Sequence, residues 1–304
     1  MQTPHVFGEH QHLYGIHRDA VASDRDAVAS QPLEGSDSEP KIAVLMLTAG
    51  MLTSVGPSRL HVDLADELSD LGLPSFRFDL SGIGESLAVG SNGSSLERAA
   101  SEVRQAMDML EREYGYSHFM LFGLCSGADD AIPAAVEDER IIAASLVDAC
   151  GYRTAGHWVP FVRRKYLPKL VRLSKWIDLF RGYFQGTKSS ASTMPIGSDI
   201  REFPNREQSE AILLGLVDRG IRLQFVYSGG VIDYYSYANQ FFDMFPRFVN
   251  RDEIAVVYQP RWDHVAMLQE DRTELLQTVV SWFDMTAKAF LNETTTQLVC
   301  ASTT

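Results

Sequence analysis

"SHFMLFGLCSGADDA", residues 117–131, decides the fold. Its first half is a run of apolar residues, which predicts a strand buried on both faces of a sheet. Its second half predicts a helix starting at Ser126. Between them stands Gly123-Leu124-Cys125-Ser126-Gly127, a small-x-x-x-small frame at a strand-to-helix turn. A turn of this kind holds a nucleophile on a strained backbone. A side chain two residues before or after the apex would collide with the opposite limb of the bend. With Cys125 at the apex, both flanking positions are Gly. With Ser126 there, they are Leu124 and Ala128, and Leu124 would clash. The frame selects Cys125. A cysteine sulfur is a good nucleophile where a base or a helix N-terminus favours the thiolate, and the helix from Ser126 supplies that dipole. The bland alternative is a small buried hydrophobe; strand, glycines and helix together speak against it.

The texture on both sides agrees. "KIAVLMLTAG" (41–50), "PSFRFDLSG" (74–82), "IIAASLVD" (141–148), "IRLQFVYSGG" (221–230) and "EIAVVYQ" (253–259) read as further strands. "SRLHVDLADELSDLG" (58–72), with Leu60, Leu64 and Leu68 at helical spacing and Gly72 as C-cap, reads as a helix. So do residues 95–115, with Ser94 or Ser95 as N-cap, and residues 234–245 and 271–290. Strands alternating with helices mean a mostly parallel central sheet flanked by helices. Residues 152–208 break the alternation with Trp158, Trp176, the basic run "RRKYLPKLVR" and the Gly/Ser-rich "QGTKSSAST". They read as an inserted helical cap. The expected organisation is therefore an N-terminal strand and mobile connection (1–40), a core (41–151 and 209–292), a cap (152–208) and a frayed polar tail (293–304).

Composition narrows the function classes. The chain has 304 residues, is 45% hydrophobic and 22% charged, and carries a formal net charge of -13. This suits a globular α/β domain and disfavours nucleic acid or an anionic membrane as partner, since both would repel it. The three cysteines, Cys125, Cys150 and Cys300, make no disulfide framework and suit a reducing compartment. No basic segment followed by an apolar one opens the chain, and no run approaches membrane-spanning length, so a cytoplasmic protein is expected. His5, His10, His12 and His17 cluster near the start without an accompanying Cys or carboxylate framework. They read as a solvated edge strand, and no metal or cofactor is expected.

An elbow nucleophile needs a base late in the chain. His264, in "QPRWDHVAML", is the only one of eight histidines beyond His157 and lies between the last predicted strand and the last helix. It is the expected general base.

The chain resembles the α/β-hydrolase superfamily, and within it the serine-aminopeptidase-like branch. The resemblance is carried by "TAGMLTSVGPSRLHVDLADELSDLG", "FRFDLSGIGES", the elbow and "WDH", and covers roughly residues 41–285. It implies cleavage of an ester, thioester or amide through an acyl-enzyme, with nucleophile, acid and histidine. Some members carry cysteine at the elbow, as dienelactone hydrolases do. The nucleophile falls on Cys125 and the base on His264. The oxyanion hole would come from the backbone N–H groups of Ser126 and Met51, with Ala49-Gly50-Met51 standing where the family has His-Gly-x. Asp79 and Ser86 match a structural turn. The family acid usually follows the strand "LQFVYS", where Val231 stands. Asp233, two residues on, is the expected acid. Asp148, at the end of "IIAASLVD", is the rival, and a Cys–His dyad without an acid is the third option.

Asp129 and Asp130 complement the helix dipole, or one of them holds a substrate ammonium group. Arg163, Arg164, Lys165, Lys169 and Arg172 form a solvated basic face, or a dock for an acyl-carrier protein or a phosphopantetheine arm. Three functions fit: an acyl hydrolase, an acyltransferase using the same acyl-cysteine intermediate, and a degenerate relative kept as a binding protein.

Overall fold

The computed structural model describes residues 1–21, 40–90, 93–165 and 204–302. The centre is one eight-stranded sheet in the order β1-β2-β4-β3-β5-β6-β7-β8. The strands are β1 Gln2–Phe7, β2 Leu13–Arg18, β3 Ile42–Leu47, β4 Ser75–Asp79, β5 His118–Leu124, β6 Ile141–Val147, β7 Arg222–Ser228 and β8 Ile254–Gln259. From β4 to β8 all neighbours are parallel, whereas β1 and β2 join antiparallel at the β4 edge. β2 is a strand in the N-terminal segment, where one was expected. β1 is an addition. Its polar-apolar alternation and Pro4 suit an edge position, where a missing N–H costs no ladder bond.

The helices are α1 Leu60–Asp70, α2 Ser95–Tyr114, α3 Ser126–Glu137, α4 Trp158–Lys165, α5 Arg206–Asp218, α6 Gln240–Met244 and α7 Gln269–Ser302. They cover both faces of the sheet, as the doubly apolar strands require. In β3, Ala43, Leu45 and Leu47 join the core under α2, α3 and α5. Ile42, Val44 and Met46 join the core under α1 and α7. α2 starts with a capping box, in which the Ser94 side chain accepts from Glu97 N and the Glu97 carboxylate accepts from Ser94 N. It ends on Gly115 in the left-handed region.

Three expectations need correction. The last helix does not end at Asn292 but runs to Ser302. Its threonines fit a helix by turning their hydroxyls back to carbonyls one turn earlier, as in Thr294 to Phe290 and Thr295 to Leu291. The helix expected over 234–245 shrinks to α6, because Tyr234 and Tyr235 are held by other contacts and Pro246 follows directly. The N-terminal histidines are not all solvated. His17 is buried, stacks on Tyr114 at 3.9 Å and bonds Tyr116 through Nε2 at 2.9 Å. Burial takes its pKa down to about 4.

The connection over 22–39 and most of the expected cap, including Trp176, Lys169 and Arg172, lie outside the described residues. At the cap's edges, α4 follows β6, and α5 opens on a capping box of Asn205 and Gln208. Arg163 is exposed, and Arg164 lies over the Tyr258 ring and donates to its hydroxyl. Among the described residues no helix is long and apolar enough to cross a membrane.

Candidate active site

Cys125 stands at the apex between β5 and α3, half-buried, with φ 55 and ψ -119. No L-residue adopts this conformation without strain, of the order of 1–3 kcal/mol. The flanking glycines make it possible. A Cβ on Gly123 would strike the backbone of Gly127 and Ala128, the opposite limb of the bend, well inside 3.0 Å. Gly127 has a different reason: its Cβ would meet the carbonyls of Leu47 and Thr48 at 2.6 and 2.7 Å. The constraint there is the end of β3, not the bend itself.

His264 comes from the loop between β8 and α7. Asp263 organises that loop, its carboxylate accepting from Val265 N and Met267 N at 2.9 and 3.0 Å. Trp262 Nε1 donates to Glu274, fixing the loop to α7. Gly229 and Gly230 let the loop come close to the end of β7. A Cβ on Gly229 would overlap the Pro260 carbonyl, and one on Gly230 would overlap His264 N and lie 2.8 Å from His264 Cα. Gly230→Ala should therefore push the imidazole off its place. The expected result is a loss of about 10²-fold in kcat/KM in a protein that still unfolds cooperatively, checked by ester kinetics and thermal melting.

The carboxylate that reaches the imidazole is Asp148. His264 Nδ1 lies 2.8 Å from Asp148 Oδ2. The Asp148 side chain is fully buried, at the carboxyl end of β6, with φ 51. It also accepts from Ser228 N and Ser228 Oγ, each at 2.7 Å, and its main-chain carbonyl accepts from the Tyr234 hydroxyl at 2.9 Å. Asp233, the expected acid, is not brought to His264. It is exposed, beyond the 3-10 turn Gly229–Val231, and its main-chain carbonyl accepts from Arg153 Nε at 2.7 Å. Val231 turns into the core instead. The end of β7 thus supplies donors to Asp148 rather than a carboxylate to His264.

The imidazole is strongly perturbed. The Asp148 hydrogen bond, then the hydrogen bond to Cys125, raise the pKa of His264 from its usual 6.5 to about 10, against the opposing effect of burial. At neutral pH this ring is an imidazolium, touching a carboxylate on one side and a sulfur on the other.

The loop after β3 closes the near side. Gly50 N donates to Ser126 Oγ, so this loop is tied to the first turn of α3. Met51 follows with its side chain exposed. Asp79 and Ser86 anchor the same region: Asp79 Oδ2 accepts from Glu85 N at 3.1 Å, Oδ1 accepts from Ser54 N, and Ser86 Oγ donates to the Asp79 carbonyl at 2.6 Å. Asp129 accepts from Cys150 N at 2.8 Å, linking α3 to the chain leaving β6. Asp130 is buried.

Ser228 and Tyr234 are the partners that sequence reasoning missed. A serine at a strand end and a tyrosine in a loop carry no signal of their own. Asp148 does carry one, as a lone charge closing an otherwise apolar strand.

No family model matches the chain, and no curated protein matches it. Solved structures do. An esterase of Pyrococcus furiosus superposes with a TM-score of 0.55 at 13% identity, covering 94% of this chain and 91% of its own. The naproxen esterase (carboxylesterase NP) of Bacillus subtilis gives 0.54 at 12% identity, covering 93% of this chain and 91% of its own. The mouse alpha/beta hydrolase domain-containing protein 10 gives 0.50 at 12%, covering 93% of this chain and 99% of its own. The chain therefore has the α/β-hydrolase fold over nearly its whole length.

Proposed function

We propose that this chain, an α/β-hydrolase by fold, hydrolyses an ester or thioester through an acyl-Cys125 intermediate. One observation carries the reading: His264 bonds Asp148 and Cys125 at once, at the carboxyl edge of the sheet, with the sulfur on a strained apex. Structural histidines have no need of a sulfur held at φ 55.

The chemistry follows from the arrangement. The sulfur attacks the acyl carbon, and the carbonyl electron pair moves to oxygen. The N–H groups of Met51 and Ser126 receive that oxyanion. On collapse the C–O or C–S bond to the leaving group breaks, and His264 gives it the proton. The ring can now take a proton from water, whose oxygen attacks the thioester. The second collapse frees the acid and returns the sulfur, with the proton again shared with His264. Asp148 keeps Nδ1 occupied throughout, so the other nitrogen faces the reaction. The branch resemblance to serine-aminopeptidase-like hydrolases gives the reaction class but leaves the nucleophile distinctive.

Exposing the protein to a small acyl thioester and measuring its intact mass tests the reading. The expected result is a mass increase equal to the acyl group, located on the Cys125 peptide, that decays in buffer. An adduct that persists until an amine, alcohol or carrier thiol is added would assign an acyltransferase instead. Absence of any adduct across donors would overturn covalent catalysis and leave a binding protein.

A further inference from the structure

A cavity of about 250 Å³ lies between α3 and α5, outside the groups that carry the reaction. Its near end is formed by Asp129, one helical turn on from Cys125, and by Cys150, two residues on from Asp148. From there it follows the outer face of α3 past Ile132 to Val136, opposite Ile212 and Phe225. That stretch of helix spans about 10 Å. Neither Cys125 nor His264 lines this slot; it begins at Asp129 and Cys150, close in the chain to Cys125 and Asp148, and runs on along the helix.

The polar groups bordering the slot are already engaged within the protein. Asp129 accepts the Cys150 amide, Glu137 pairs with Arg104 at 2.8 Å, and the Tyr152 hydroxyl bonds Ser209 Oγ at 2.6 Å. Burial and Asp129 push the Cys150 thiol up to about 11, so it stays neutral at physiological pH. What remains for an occupant is apolar wall.

We infer that this slot binds the acyl chain of the substrate, and that the preferred acyl group is a straight apolar chain of medium length without a carboxylate at its end. The inference rests on the acyl-Cys125 reading for the identity of the occupant. An apolar slot rewards each methylene it takes from water, by about fourfold in affinity. A chain ending in a carboxylate would bring that charge toward Asp129 and Glu137, which repel it.

The test separates chain binding from chemistry. Cys125→Ala protein is titrated calorimetrically with octanamide and butanamide, inert analogues that differ by four methylenes. The expected result is about 10²-fold tighter binding of octanamide. Ile132→Trp, which fills the slot, should erase that difference. Ile212→Ala, which enlarges the slot, should shift the preference of the active protein from octanoyl toward longer p-nitrophenyl esters, so that the test survives if the tryptophan variant fails to fold. Equal binding of the two amides, together with acetyl and octanoyl adducts forming equally well on Cys125, overturns the slot and leaves the covalent reading standing. Chain-length-dependent binding with no adduct on Cys125 overturns the covalent reading and leaves the slot.

Discussion

Cys125→Ala is expected to lower kcat/KM toward a p-nitrophenyl ester by about 10⁴-fold or more. The alanine keeps the fold, because a methyl group replaces the thiol at a half-buried apex and the flanking glycines are untouched. On the proposed mechanism it removes the atom that forms the acyl bond. What survives is transition-state stabilisation by the oxyanion donors, which on enzymes of this logic leaves a residual rate above water. Cys150 cannot take over: burial and then Asp129 hold its thiol neutral, and a neutral thiol is a weak nucleophile. Steady-state kinetics with the melting temperature as control would check this. A variant that retains a tenth of the activity would show that Cys125 is not the nucleophile.

Asp148→Asn is the second large effect, expected to cost about 10³- to 10⁴-fold in kcat/KM. The amide is similar in size and can still accept from Ser228, so the site stays packed. It removes the charge that holds the imidazolium and offers His264 Nδ1 a neutral partner. The pH profile carries the sharper signature. On the proposed mechanism, with an ester of an unactivated alcohol, the leaving group takes its proton from imidazolium, which persists until pH rises through about 10. The alkaline limb of kcat/KM should therefore fall near that pH. Asp148 is the largest cause of the raised pKa, so its loss moves that pKa down. The alkaline limb should move toward acid by about 1–3 pH units. Asp233→Asn should leave both rate and profile within about twofold of wild type, because this exposed carboxylate is not among the groups that perturb His264. If the two variants exchanged these outcomes, the carboxylate assignment would be wrong.

Much of this molecule is legible from the chain. The inner strands announce themselves because helices cover both faces of the sheet, so every residue of "IAVLML" is apolar. The elbow is legible because two glycines at fixed spacing are the only residues the backbone can accept there. His264 is legible by elimination and position. The acid is not, because the choice between Asp148 and Asp233 depends on which strand end faces the imidazole, and that is settled by the packing of β6 against β7. The Gly229-Gly230 pair lets the histidine loop approach that end of the sheet. Without side chains there, the histidine loop settles against the β7 end, turns Val231 inward and carries the following loop, with Asp233, out into solvent. Edge strand β1 is hard to see for the opposite reason to the core strands: half of its residues face water, and Pro4 reads as a breaker.

The apex fixes where the nucleophile stands far more firmly than what it is. Gly123 and Gly127 are confined by main-chain atoms that no side-chain rearrangement can clear, while the residue they flank is only half-buried. Exchange of sulfur for oxygen at residue 125 meets no steric obstacle, whereas relocation of the reactive atom by even one residue does. A lineage built on this scaffold is thus free to alter its reactivity in one step, and is held to a single anchorage for it.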